Sequence, residues 1–262
     1  MNQTFIIDGH VHIYPQFDIK SALLYSKRNF AKILPPSTLA AAEFWLLTER
    51  SDCHFFDECV KAKVAGFHFE PTDEDTIIAV RDAASNKVLH IAAGRQLISS
   101  ERLEICALLT RYNAEDKVLS AAELVRAVND SGGVAAVNWA PGKWFGERGR
   151  VVQKLFESFS PDQLFISDTT MRPRLWATPK LMAAAKRQGF RVICGSDPLP
   201  FAGEEKVIAT YAGLVDGEFD QNAPATSLKQ AFKSADGIKP LGRRSGLVTF
   251  IKRQTKIMLD KR

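Results

Sequence analysis

The sequence lacks several patterns that would assign a protein to a class at once. Its four cysteines, Cys53, Cys59, Cys106 and Cys194, form no Cys-x-x-Cys pair. This spacing argues against a disulfide framework or a structural zinc site and is typical of a reduced cytosolic protein. No apolar run approaches the roughly 20 residues that a membrane-spanning helix needs. A basic and then apolar leader is also lacking, so we expect a soluble, cytoplasmic protein.

Histidine is scarce and unevenly placed. The chain has five histidines, and none follows His90. Hydrophobic residues make up 45% and charged residues 25% of the chain, as in ordinary globular proteins. The net charge of +5 is a mild bias that suits a small anionic substrate. It supports nucleic-acid binding only weakly.

Strand-like apolar runs alternate with helix-like segments over most of the 262 residues. This alternation predicts an α/β fold with parallel strands, in one domain that covers residues 1–262. We predict strands at 4–8, 42–49, 134–138, 164–168 and 191–197, and helices at 17–34, 120–132, 179–189 and in a charged segment that ends near 159. Only helical segments are expected after residue 197.

One stretch departs from this alternation. Valine and isoleucine cluster on both sides of Asp-Ala-Ala-Ser-Asn, at residues 82–86. Such clusters around turn residues predict a β-hairpin or meander, here over residues 76–109, inserted among the βα units.

Candidate functional residues follow the predicted strands, where the loops of an α/β barrel converge. His10 and His12 lie two residues apart, so an extended backbone would place both on one face, with Asp8 beside them. Two neutral imidazoles can share a divalent ion, and Asp197, after a distant strand, would supply a third ligand. The same spacing fits two histidines that bind nothing and an aspartate that caps the turn before Pro198. The residues alone leave both interpretations open.

The order of these motifs resembles that of the polymerase-and-histidinol-phosphatase (PHP) family of metal-dependent phosphoesterases. The resemblance covers about residues 4–200. It is carried by GHVHIYP from Gly9, GRQLISSERLEICALL from Gly94, LVRAVNDSGGVAAVNWAPGKW from Leu124 and AAAKRQGFRVICGSDPLP from Ala183. It implies a distorted seven-stranded (βα)7 TIM-like barrel and hydrolysis of phosphate esters by a metal-activated water.

The chain departs from the family's pattern at several ligand positions. Glu49 stands where the family has a histidine, and Gln96 stands where it has a glutamate. Asn138 and Trp139 replace a histidine before a proline, and Leu199 replaces the histidine expected after the last aspartate. The resemblance therefore implies a reduced site with one or two divalent ions (zinc, manganese or iron) rather than three.

The expected site divides into three sets of residues. The metal ligands are His10, His12 and Asp197, with Glu49 as an additional candidate. The expected substrate-binding residues are Gln96, Asn138, Trp139 and His54, of which His54 is also a candidate ligand. The expected catalytic residues are Asp168, Arg172, Arg174 and Lys143. Asp168 or Asp8 would act as the general base, and the three cations would bind a phosphorylated substrate in a pocket that faces the metal residues.

Two other functions fit the same residues. A barrel without activity that binds an anionic ligand or a protein partner would explain the missing ligands. An amidohydrolase-type hydrolase also opens on two histidines and closes on an aspartate, but it normally needs further histidines on its middle strands.

The basic segment of residues 243–262 has apolar residues at helical spacing. We predict an amphipathic helix that packs on the barrel with its charges in water. Contact with an anionic lipid or with a partner protein is the alternative.

Overall fold

The computed structural model describes residues 3–114, 117–233 and 237–260. The strands are β1 Gln3–Val11, β2 Ala40–Leu47, β3 Phe67–Pro71, β4 Ile77–Asp82, β5 Val88–Ala92, β6 Gly94–Ile98, β7 Glu104–Leu108, β8 Val134–Asn138, β9 Phe165–Thr169, β10 Val192–Gly195, β11 Tyr211–Gly217 and β12 Lys239–Gly242. The helices are α1 Ile19–Ile33, α2 Phe55–Glu58, α3 Ala121–Asp130, α4 Gly146–Ser158, α5 Lys180–Arg187, α6 Pro224–Phe232 and α7 Leu247–Asp260.

The described strands form two sheets rather than a closed barrel. One sheet has the order β12-β11-β1-β2-β5-β4-β3, and the other has the order β10-β9-β8-β7-β6. A closed (βα)7 barrel was expected, whereas antiparallel β11 and β12 extend the first sheet beside β1. The chain is thus a mixed α/β protein. Residues 211–217 were missed as a strand because glycines and an aspartate interrupt their apolar pattern.

The two sheets approach each other at both ends. An isolated parallel bridge joins Glu49 to Arg95 on one side. On the other side, the backbone N–H of Asp197 donates to the carbonyl oxygen of His10 at 2.9 Å. A Cβ atom on Gly195 would lie 2.3 Å from the His10 nitrogen, so only glycine permits this approach. The carboxyl ends of β1 and β10 therefore lie side by side.

Three buried apolar layers hold these elements. The first lies between the sheets, and it includes Phe5, Ile7 and Ile193. The second packs α1 against the outer face of the larger sheet, and the third packs α3, α4 and α5 against the smaller one. The strand faces therefore divide into one that points between the sheets, here called the inner face, and one that points at the helices.

Several local predictions are confirmed. The hairpin expected around residues 82–86 joins β4 to β5, which pair antiparallel, and β6, β7 and β8 continue as an antiparallel meander. The helix predicted over residues 120–132 is α3, and Ser120 and Glu123 form a capping box at its start. None of the helices in the described ranges combines the length and apolar character needed to span a bilayer.

Helix α7 forms, but its orientation differs from the prediction. Arg253, expected among the solvated charges, is buried with 4% of its surface exposed. Several apolar side chains of the same helix, among them Ile251 and Met258, are exposed. The hydrophobic pattern identified the helix correctly, but it did not identify the face that packs on the protein.

Buried His90 on β5 makes the free energy of unfolding depend on pH. Its ring stacks on Phe44 at 5.0 Å between centroids, and its Nδ1 has no hydrogen-bond partner among the described residues. Burial lowers the pKa of His90 to about 4, from 6.5 in the unfolded chain. Between these values, the unfolded chain takes up a proton that native His90 does not accept. The free energy of unfolding therefore decreases as the pH falls from 6.5 to 4.

We predict that, between pH 7 and pH 4.5, the free energy of unfolding of His90→Phe falls less than that of the wild type, by on the order of 2 to 3 kcal/mol. Phenylalanine keeps the stacked ring and has no proton to gain. Urea unfolding at the two pH values measures the difference. His68→Phe is the matched control because His68 is exposed, and it should keep the wild-type slope. Equal slopes in the wild type and His90→Phe would contradict the assignment.

Candidate functional site

An irregularity in β1 directs the two histidines to the inner face. The register between β1 and β2 shifts between Asp8 and Val11. Before the shift, Ile7 belongs to the layer between the sheets and Ile6 to the layer under α1, so Asp8 shares the outward side of Ile6. After it, His10 points inward, where its Nδ1 lies 3.1 Å from the Ser167 hydroxyl. A β-bulge re-aims side chains in this way and is common beside active sites.

His10, His12 and Asp197 converge at the inner ends of β1 and β10. The two Nε2 atoms are 3.1 Å apart, and Oδ1 of Asp197 lies 3.8 Å from that of His10 and 3.7 Å from that of His12. One ligand atom from each residue lies within 4.8 Å of the others, and all three residues are buried. Two imidazole nitrogens and a carboxylate oxygen are ligands that zinc, iron and manganese accept. The cluster can therefore hold a metal ion.

The protonation states of this cluster suit a cation. Burial, and next the neighbouring His10, lower the pKa of His12 to about 3, so its ring is neutral at pH 7. Burial opposes ionisation of Asp197, but His10, His12, Arg253 and the Thr169 hydroxyl outweigh it and hold the pKa of Asp197 below its ordinary value. A neutral imidazole and a carboxylate are the forms that bind metal ions.

Asp197 is fixed from several sides. Its backbone has a φ of 52°, in the left-handed region that few aspartates adopt. The Thr169 hydroxyl donates to Oδ2 at 2.9 Å, which leaves Oδ1 directed at the histidines. Arg253 donates to the Asp197 carbonyl oxygen at 2.6 Å, to the Thr170 hydroxyl at 2.7 Å and to the Glu204 carboxylate at 2.7 Å. Helix α7 thus supports a candidate metal ligand.

Asp8 does not lie beside the histidines as expected. Its carboxylate accepts hydrogen bonds from the backbone N–H groups of His10, Ser196 and Ala209 and from the Ser196 hydroxyl. Burial raises the pKa of Asp8 to about 7 against the effect of these bonds. Because both oxygens are engaged, the interpretation of Asp8 as a general base is corrected to that of a structural acceptor.

Glu49 and His54 do not join the three-residue cluster. Glu49 accepts a hydrogen bond from the Phe56 backbone at 3.0 Å, and burial raises its pKa to about 7. His54 is exposed, lies 3.1 Å from the Arg95 guanidinium and lines an apolar cavity of about 340 Å³. Tyr14 lines the same cavity and stacks on His12 at 5.6 Å between ring centroids. His54 therefore shares a cavity with Tyr14, a residue that contacts the cluster.

Asp168 and Arg172 bind each other on the outward side of β9. Nε and Nη2 of Arg172 donate to the two carboxylate oxygens of Asp168 at 2.7 and 2.5 Å, and both residues are buried. Strand alternation places Asp168 opposite Ser167 and Thr169, whose hydroxyls contact the cluster. The pair lines a separate cavity of about 730 Å³ with Tyr211. This geometry corrects the expectation that Arg172 faces the metal residues and that Asp168 is available as a base.

Glu104, which was not among the predicted site residues, binds two of them, Lys143 and Asn138. Lys143 donates to one oxygen of Glu104 at 2.7 Å, and Asn138 donates to the other at 2.9 Å. Gln96 is opposite Cys106 in the register, and the Cys106 sulfur lies 3.7 Å from Nδ1 of His10. Alternation along β7 and β8 places Glu104 and Asn138 on the inner face. These polar groups therefore share the face that carries His10.

Trp139 and Arg174 lie elsewhere. Trp139 is fully buried among the side chains under α3 and α4, where it contacts Trp176 edge-on at 5.6 Å. Arg174 is exposed in the loop after β9, and its backbone N–H donates to the Ser245 carbonyl oxygen at 2.9 Å. Neither side chain is on the inner face with His10, so Trp139 is a packing residue here.

Sequence reasoning missed several residues around the cluster. Arg253 was expected to be solvated. Ser167 and Thr169 belong to no sequence motif that would indicate a role in a metal site. Arg50 is exposed; its charge opposes protonation of His12, and its guanidinium carbon lies 5.9 Å from the Tyr14 ring centroid. Their positions in the sequence could have indicated them, since Ser167 and Thr169 lie at the end of β9 and Arg50 follows β2. That signal does not determine which way a side chain points.

Comparison of the sequence with protein-family models and with curated proteins gives no match. The fold is similar to a crystal structure from Bacteroides vulgatus ATCC 8482, a two-domain protein containing a predicted PHP-like metal-dependent phosphoesterase. The TM-score is 0.50 at 13% sequence identity, over 93% of this chain. The chain spans 66% of the length of that protein. At this identity the similarity concerns the fold alone.

We predict that Arg253→Ala lowers the affinity for a divalent metal ion about 10- to 100-fold, because Asp197 loses the group that fixes its backbone. Competition with a chromophoric chelator measures the affinity. Thr255→Ala is the control, since Thr255 is exposed on the same helix and bonds only within it. An affinity in Arg253→Ala equal to that of the control would refute the role given to Arg253.

Proposed function

We propose that this chain is a metal-dependent hydrolase that cleaves phosphate esters at a site built by His10, His12 and Asp197. The observation that carries the proposal is the convergence of these three buried ligand groups at the ends of β1 and β10. The fold similarity to a predicted PHP-like phosphoesterase agrees with it.

The residues present fit a divalent cation. The Nε2 atoms of His10 and His12 are 3.1 Å apart, which is close enough for both to bind one ion, and Oδ1 of Asp197 lies within 3.8 Å of each. When bound, such an ion supplies Lewis acidity and makes a water molecule nucleophilic near neutral pH. The chain's part is to hold the ligands: Ser167 orients the His10 ring, and Thr169 and Arg253 orient Asp197.

We propose that residues of the inner face, together with exposed Arg50, bind the substrate. Asn138, Gln96 and the Lys143–Glu104 pair would orient the substrate, and Arg50 would attract its negative charge. Arg50 is suited to this because it is exposed and close enough to lower the pKa of His12 by its charge. Arg174 remains a candidate for the outer part of the ester.

A second candidate function is anion binding without catalysis. The observation in its favour is that each carboxylate expected as a general base already has partners, since Asp8 accepts backbone N–H bonds and Asp168 binds Arg172. An amidohydrolase-type reaction stays an alternative, although no histidine follows residue 90.

The deciding experiment compares three untagged proteins, the wild type, His10→Ala/His12→Ala and the exposed-site control His68→Ala. We expect about one equivalent of a transition metal in the wild type and the control and little in the double variant. With zinc, manganese or iron added, 4-nitrophenyl phosphate or its diester should be hydrolysed at least about 100-fold more slowly by the double variant.

Other outcomes discriminate among the candidates. Bound metal with no turnover of phosphate esters would favour the binding function, and turnover of amide or carboxylic-ester substrates alone would favour the amidohydrolase alternative. A wild type that holds no metal after incubation with each ion would overturn the proposal.

We further predict that Arg50→Ala raises KM for the phosphate ester about tenfold with little change in kcat or metal content, because it removes a charge that binds the substrate in the ground state. Steady-state kinetics with metal analysis measures this. Lys63→Ala, which removes an exposed charge elsewhere, is the control. A fall in kcat at constant KM would assign Arg50 a different role.

A further inference from the structure

Helix α7 presents to solvent a surface that is apolar apart from the exposed Thr255. Leu247, Val248, Ile251, Met258 and Leu259 are all exposed, with values as high as 67% for Val248 and 66% for Met258. At 3.6 residues per turn, they fall within a stripe about 120° wide. We call this stripe the outer face of α7.

The other side of the helix packs on the protein. Arg253 is buried, and Phe250, Gln254 and Ile257 are half-buried. The three hydrogen bonds of Arg253 to Asp197, Thr170 and Glu204 fix this side. The outer face is therefore held away from the protein rather than free to turn inward.

This arrangement differs from that of the other amphipathic helices. In α1 the apolar residues Leu23 and Phe30 are buried, and in α3 Leu124 and Val128 are buried. Single exposed apolar side chains are common on proteins, but a contiguous group of them marks a surface that binds something. The outer face of α7 is therefore a candidate docking surface.

The charges beside the outer face indicate the partner's chemistry. Of the basic residues of α7, Arg253 is buried and bonded to Glu204, whereas Lys252 and Lys256 are exposed. Exposed Lys252 borders the stripe, and exposed Lys256 follows it, with its Nζ 5.4 Å from the Phe201 ring centroid. A helix with one apolar side bordered by lysines is suited to the interface of an anionic lipid layer.

We propose that α7 docks its outer face on an anionic lipid surface, with the helix axis parallel to it. The apolar side chains enter the boundary between headgroups and acyl chains, and the lysines contact the phosphates. A second copy of the chain is the competing partner, and the experiment below distinguishes it from lipid. This docking is independent of the proposed hydrolysis, because the outer face contains none of the metal or substrate residues.

Co-sedimentation of the full chain with vesicles tests the proposal. One set of vesicles is phosphatidylcholine alone, and the other contains phosphatidylserine as well. We expect binding to the anionic vesicles that weakens with salt and little binding to the neutral ones. Ile251→Ser/Met258→Ser should reduce binding at least tenfold, and Lys252→Glu should reduce it for the anionic vesicles.

Leu39→Ser is the matched control, because Leu39 is 86% exposed at a distant position and its loss should leave binding unchanged. Thermal unfolding of each variant shows that the fold is kept. Three results would overturn the proposal: no binding by the wild type, equal binding by the outer-face variant, or equal binding to neutral vesicles. Concentration-dependent self-association that Ile251→Ser/Met258→Ser abolishes would also overturn it, in favour of an interface between copies.

Discussion

A single buried carboxylate determines how the parts of this site meet. Asp8 accepts hydrogen bonds from Ser196 and Ala209, so it ties β1 to the segments that follow β10 and precede β11. His10 follows Asp8 by two residues, and Asp197 directly follows Ser196. Two candidate ligands from distant parts of the chain are therefore positioned by the same side chain. Both oxygens of Asp8 accept hydrogen bonds, so Asp8 positions the neighbouring residues and is not available as a base.

A third segment of the chain, helix α7, also positions Asp197. Arg253 holds the carbonyl oxygen of Asp197, and Glu204 neutralises the arginine, so the charge is buried with partners. The inner face thus carries candidate metal ligands whose orientation is set by hydrogen bonds within the protein. Such preorganisation is what a binding site for a small cation needs, since reorienting buried side chains would oppose binding. It also makes α7 part of the site.

The sequence predicted the ends of β1, β2, β8, β9 and β10 to within three residues, but it did not predict the directions of their side chains. His10, His12 and Asp197 follow from strand-end position and ligand chemistry, and these predict a meeting point. The bulge after Asp8 could not be predicted, because nothing in the sequence marks the one extra residue that reverses the alternation. Asp168 and Arg172 suit catalysis by residue type, yet their spacing lets them bind each other. For α7, periodicity identifies two sides, while the buried side depends on tertiary contacts such as that of Arg253 with Asp197.

The position of β1 has a consequence for how the protein folds. Its antiparallel neighbour is β11, with Gln3 opposite Gly217, and the ladder closes a loop of about two hundred residues. Contacts between residues so far apart in sequence form late, because the entropy of closing the loop opposes them. During synthesis β1, which carries His10, already has β2 as a neighbour, but its edge toward β11 stays unpaired until β11 has emerged. Binding of a metal ion by His10, His12 and Asp197 would likewise require residues 10 and 197 to have met, so it would follow long-range assembly rather than nucleate it.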